Sequence, residues 1–207
     1  RGRHFLARVH LAKGEEAAGI EELVTAEVLT DGMSEPSVML TGAINGIATT
    51  YTLLGLYEDS ERLFDRMSGM LEHVDDPWSH QALLYNRLLN DASWALALEQ
   101  IGDPDEARAR MRQASAVVQR ESRWIAGSPV EDDIGLLILF VKLLSGSISV
   151  DAGKARLAAL SGGAVREATS FANAGLALRL TEQLRFSDAR AAVRAGLRDL
   201  HPIDGEH

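Results

Sequence analysis

Residues 89–119, LNDASWALALEQIGDPDEARARMRQASAVVQ, constrain the fold more than any other stretch, because they write two amphipathic helices and the turn between them. Gly102 supplies the left-handed residue that ends the first helix. Asp103 can cap the second, Pro104 fits its first helical position, and Glu106 completes a capping box back to Asp103. A connection this short makes the two helices antiparallel neighbours.

The hairpin resembles the tetratricopeptide repeat, in which small residues let two helices approach and bulky ones fill the seam. With Gly102 as the turn glycine, Trp94, Ala95 and Leu98 take the large, small and large positions of the first helix. Ala107, Met111 and Ala114 take the small, large and small positions of the second, and Gln119 stands where the family has a terminal proline. The same register recurs around Gly55 (Ile47, Ala48, Tyr51; Ser60, Phe64, Met67) and Gly14 (Leu6, Ala7, His10; Gly19, Leu23, Ala26). Near the C-terminus Leu184 replaces the glycine between Leu176, Ala177, Leu180 and Ala189, Val193, Gly196, and a weaker unit turns at Gly146. These turns are 41, 47, 44 and 38 residues apart, longer than the family's usual repeat of about 34.

The resemblance implies an all-α, right-handed tetratricopeptide-like solenoid of four or five antiparallel helix pairs. One domain is expected over residues 1–200, followed by an exit linker at 201–207, where Pro202 and Gly205 discourage helix. The match is strongest over 41–119 and poorest from 122 to 163. Helices are expected over 2–13, 15–30, 57–73 and 77–101, with Pro36 starting another and Asp76 capping the long one. Residues 134–144, IGLLILFVKLL, form the most apolar run. They are too few to span a bilayer of about 30 Å, so they read either as a core helix or as a docking face.

A formal charge of −9 argues against a phosphate backbone as partner, which needs clustered Lys and Arg. The sequence has no Cys, which removes disulfides, thiolate nucleophiles and thiolate zinc sites and fits a reducing compartment; cytoplasm is expected. No signal peptide or membrane span is visible, and the missing initiator Met suggests an excerpt from a longer protein. The His residues 4, 10, 73, 80, 201 and 207 form no zinc motif. Glu131-Asp132-Asp133 suits a helix N-terminus as well as a hard cation. Gly162-Gly163 lacks a phosphate-loop spacing, and no nucleophile elbow occurs, so no catalytic residue, metal or cofactor is assigned. Arg190, Arg194 and Arg198 make a basic stripe suited to solvent or to an acidic neighbour.

In the tetratricopeptide family the inner faces of the first helices line a groove for a peptide or partner segment. Carried onto this sequence, those positions are His4 and Arg8, then Asn45, Thr49 and Thr52, then Glu99. Tyr85, Asn86 and Asn90 extend the groove along the long helix. The resemblance implies a non-catalytic protein-interaction or regulatory sensing domain whose partner is a protein or peptide. The long Ala/Arg/Leu-rich units resemble those beside effector modules in high-GC bacterial regulators, such as diguanylate cyclases and multidomain transcription factors. Two alternatives stay open: an oligomerisation module forming a homodimer through the apolar 134–144 helix, and a small-molecule site in which Tyr85, Asn86 and Asn90 converge.

Overall fold

Five helix ends share one backbone device. The computed structural model describes residues 2–128, 130–160 and 166–200, and in it Gly14, Gly55, Gly102 and Gly146 all have φ between 74° and 84°, while Leu184 has φ 58°. At each, the next residue's N–H reaches back five residues: Glu15 to His10 O, Leu56 to Tyr51 O, Asp103 to Leu98 O, Ser147 to Lys142 O and Arg185 to Leu180 O, all at 2.9–3.0 Å. The left-handed residue itself bonds three residues back. This is the Schellman arrangement, which satisfies carbonyls the helix would leave orphaned. Leu184 is the only non-glycine in this conformation among the described residues, at a cost of about 1–2 kcal/mol.

The turns join α1 (Arg3–Ala12) to α2 (Glu16–Asp31), α3 (Val38–Leu53) to α4 (Tyr57–Leu71), α5 (Pro77–Ile101) to α6 (Pro104–Glu121), α7 (Glu131–Leu144) to α8 (Val150–Leu160), and α9 (Arg166–Glu182) to α10 (Phe186–Leu200). The described residues are thus all-α, in five antiparallel pairs. A single 3-10 turn, Ser122–Trp124, fills part of the connection the sequence left obscure. Gly162 and Gly163, the expected linker at 201–207 with its two His residues, and the side chain of Arg198 lie outside the described residues. The chain divides into two compact units, Arg1–Asn90 and Asp91–His207, and the division falls within α5.

The caps follow the sequence with two corrections. Asp76 Oδ2 accepts the Ser79 N–H at 3.0 Å and so starts α5. Asp103 Oδ1 accepts the Glu106 N–H at 3.2 Å, but the reciprocal half of the expected capping box is replaced, because the Asp103 N–H is taken by Leu98 O in the Schellman turn. Pro36 does not begin α3; Ser37 caps it through Leu40 N–H at 3.3 Å.

In the first unit, α3 packs on both α1 and α2, and Leu23, Ile44, Ile47, Leu63, Phe64 and Met67 are sealed from solvent. A polar clamp ties α2, α3 and α4: Glu27 receives the Tyr51 hydroxyl at 2.8 Å and pairs with Arg62 at 2.6 Å. Burial pushes the Glu27 carboxyl up, but these bonds outweigh it and hold its pKa below the usual value. Between α1 and α3 the contact is a socket. A Cβ on Gly46 would stand 2.9 Å from the His4 ring.

In the second unit, α7 is core. Ile134, Leu136, Leu137, Leu139, Phe140, Val141, Leu143 and Leu144 are all buried, with α6, α8 and α9 packed around them. Of the two readings of the 134–144 run, this burial fits the core helix: Leu137 and Leu139 are 0% and 2% exposed. The Gly46 socket recurs at Gly175, where a Cβ would lie 2.9 Å from Phe140. The last hairpin departs from the expected pattern at Val193. Its counterparts Leu23, Phe64 and Met111 are fully buried, but Val193 is 47% exposed together with Phe186 and Leu197.

Candidate functional site

Successive first helices bring most of the expected groove residues onto the first unit. On α3, Val38, Gly42, Asn45 and Thr49 recur at helical spacing and share one face. Val38 and Gly42 are exposed and the two polar residues half-buried. Nothing lies within 4 Å of a Cβ built on Gly42, so the helix backbone there is open to a ligand. Asn45 and Asn86 are joined directly, Asn86 Nδ2 donating to Asn45 Oδ1 at 3.0 Å. The pair leaves the amide nitrogen of Asn45 and the carbonyl oxygen of Asn86 without a hydrogen bond among the described residues, a donor and an acceptor matched to a peptide group. Thr49 spends its hydroxyl proton on Asn45 O at 2.7 Å and keeps acceptor capacity.

Thr52 and Asn90 sit beneath this face. Thr52 Oγ1 lies 2.9 Å from Asn90 Oδ1 and 2.8 Å from Ser60 Oγ, while Ser60 donates to Ala48 O at 2.9 Å and Asn90 Nδ2 to Tyr57 O at 3.3 Å. Asn90 is 1% exposed. Two hydroxyl protons and one amide group thus serve a closed set of acceptors linking α3, α4 and α5. These two residues hold helices together behind the exposed face. Asn86 and Asn90 bond separate partners, and Tyr85 is half-buried on the same helix.

On α1, Arg8 is exposed and His4 half-buried. Burial, followed by nearby positive charge that includes Arg8, holds the His4 pKa below its ordinary value. His4 therefore favours the neutral imidazole, with its ring in the Gly46 socket. Arg8 borders an open hollow with Leu11, Thr50, Leu53 and Leu54, of about 500 Å³.

Glu99 belongs to the second unit. It lies near Arg108 and Glu182, and burial, reinforced by the Glu182 charge, raises its pKa. Arg108 bridges to Glu182 at 2.6 Å and to Asp105 at 3.2 Å. Asp133, one of the three acidic residues in the first turn of α7, is buried, and no group of three His, Cys, Asp or Glu side chains is placed to hold a metal among the described residues.

Sequence reasoning did not find Gly42 or the socket at Gly46, since a glycine inside a helix signals only lower propensity. It also missed Arg110. That guanidinium is buried, pairs with Asp91 at 3.1 Å and lies 3.2 Å from the Trp94 ring centroid, where charge and ring quadrupole attract. The spacing of Asp91 and Trp94, three apart on one face, was the available signal.

Among solved structures the chain is similar to a crystal structure from Podosopora anserina described as a kinesin light chain with nearly identical TPR-like repeats. Identity is 14%, the TM-score is 0.54, and the match covers 100% of this chain and 97% of that one. The likeness shows the fold, a tetratricopeptide-like helical repeat. No protein-family model and no curated protein matches the sequence. No described helix is long and apolar enough to cross a membrane.

Proposed function

We propose that the first unit binds a segment of a partner protein along the face formed by α1, α3 and the N-terminal part of α5, without catalysing a reaction. The observation that carries this is the Asn45–Asn86 pair, which holds two amides half-buried beside the open backbone at Gly42. A peptide laid there exchanges one bond from each amide with its own N–H and C=O groups, and the apolar residues Val38 and Leu53 flank it. Tetratricopeptide-like folds generally mediate protein–protein contacts, which supports the same reading. The contact residues in this proposal are His4, Arg8, Asn45, Thr49, Tyr85 and Asn86; Thr52 and Asn90 act as the support behind them. Glu99, in the second unit, is a separate expected contact. A regulatory role in a larger cytoplasmic bacterial signalling or transcription-regulatory protein rests on the resemblance of the long Ala/Arg/Leu-rich units alone.

A photo-crosslinking amino acid at Gly42 or Thr49, with Glu61 on α4 as the control position, tests the face in living cells. The expected result is one protein captured from Gly42 and Thr49, absent at Glu61, and lost with Asn45→Ala/Asn86→Ala. Equal capture at all three positions, or capture indifferent to the double substitution, refutes the face.

A further inference from the structure

The second unit carries a trough of about 710 Å³ between α7 and α8. It exists because the residues along it are small. Gly135 on α7 faces Leu160, 3.4 Å from where a Cβ would lie, and Ala152, Ala155 and Ala159 recur along α8 at one-turn intervals. Ile138 and Leu139 supply the apolar wall.

Its charges are ordered. Glu131 and Asp132 stand at one end, at the start of α7, and Lys142 at the other, ten residues and about 15 Å away. Arg156 joins the basic side from α8. Glu131 accepts the Gly127 N–H at 2.8 Å, whereas the side chains of Asp132, Lys142 and Arg156 have no hydrogen-bonding or ion-pair partner among the described residues.

We infer that this trough is a docking site for an amphipathic helix of a partner protein, about three turns long, running antiparallel to α7. The length follows from the 15 Å between the charged ends at about 1.5 Å per residue. A helix is the form that fits. Both walls are helices whose backbone groups are already paired, so an extended strand gains no backbone bonds, while apolar side chains at helical spacing fill the gap above the alanines. Direction follows from charge. A helix favours acidic residues in its first turn and basic residues in its last, and antiparallel placement sets that acidic turn over Lys142 and Arg156 and the basic turn over Asp132 and Glu131. The site shares no residue with the face proposed above and stands independently of it.

Two peptides of about 14 residues and identical composition test this. Both carry Leu at i, i+3, i+4 and i+7 and a hydrocarbon staple that equalises helicity; one has Glu first and Lys last, the other the reverse. Fluorescence anisotropy on the full chain is expected to show the Glu-first peptide binding at least about tenfold tighter. Ala155 is exposed, so Ala155→Trp fills the trough from the surface and should cost at least about tenfold with an unchanged circular dichroism spectrum. The double variant Asp132→Lys/Lys142→Glu should reverse the peptide preference. Equal affinity for both peptides, indifference to Ala155→Trp, or no binding up to about 1 mM overturns the proposal. So does a doubling of the chain's own solution mass that Ala155→Trp abolishes, since a second copy would then be the occupant.

Discussion

Replacing Asn90 by Ala separates support from surface on the candidate face. The substitution removes the acceptor for Thr52 and the donor to Tyr57 O, each worth about 1 kcal/mol net when buried. It also leaves a void of three heavy atoms at a position 1% exposed, adding about 1 kcal/mol more. The first unit should therefore lose about 3 kcal/mol. Asn86→Ala, at a half-buried site with one side-chain bond, should cost less than about 1 kcal/mol. Urea unfolding followed by circular dichroism gives the totals, and amide exchange on α3 and α4 localises them to the first unit. Thr52→Val, alone and combined with Asn90→Ala, completes a double-mutant cycle whose coupling should reach about 1 kcal/mol. A loss below about 1 kcal/mol for Asn90→Ala, with coupling near zero, would refute the view that this network clamps the three helices.

Other perturbations reach the turns, the core and a carboxyl. Gly102→Ala meets nothing within 4 Å, so its cost is backbone strain less the reduced entropy of the unfolded chain, about 0.5–1 kcal/mol. Leu184→Ala already has the strain and loses a side chain 74% exposed, so its urea midpoint should correspond to a change within about 0.5 kcal/mol. Leu137→Glu places a carboxylate at a site 0% exposed and should cost more than about 4 kcal/mol; loss of helical circular dichroism is expected, and a folded variant with altered light-scattering mass would contradict it. The folded-state pKa of Glu99 lies above its ordinary 4.5, so the stability linked to its protonation is present at low pH and is lost as pH rises through the folded value. Glu99→Gln should accordingly stabilise the second unit at pH 7, with the advantage shrinking as pH falls through the folded value and gone once pH is below about 4.5. A constant difference across that range would exclude Glu99 as its source.

What could be read from sequence was what local backbone chemistry determines. The five turns were legible because a left-handed residue ends a helix in a manner dictated within six residues, and even Leu184 was found from the small and large residues flanking it. The long helix α5 was legible from Asp76 and Pro77 for the same reason. The state of the 134–144 run was not, because periodicity gives apolarity without saying what covers it; α6, α8 and α9 decide that. The candidate face divided for a similar reason. Asn86 and Asn90 are one turn apart and chemically identical, yet one meets Asn45 at a half-buried seam and the other meets Thr52 in the interior. Val193 kept its repeat position but not its burial.

The glycine sockets bear on how such a chain can be rearranged. Gly46 receives the His4 ring from α1, and Gly175 receives Phe140 from α7, each nine residues before its own turn. The equivalent residue of the first hairpin is Phe5, whose ring would strike whatever helix stood before it in the same stacking. Hairpins here are consequently not interchangeable parts. Duplicating or transplanting the first one into an interior place would require Phe5 to become small, whereas the second and fifth already carry that adaptation and could be copied behind a suitable ring.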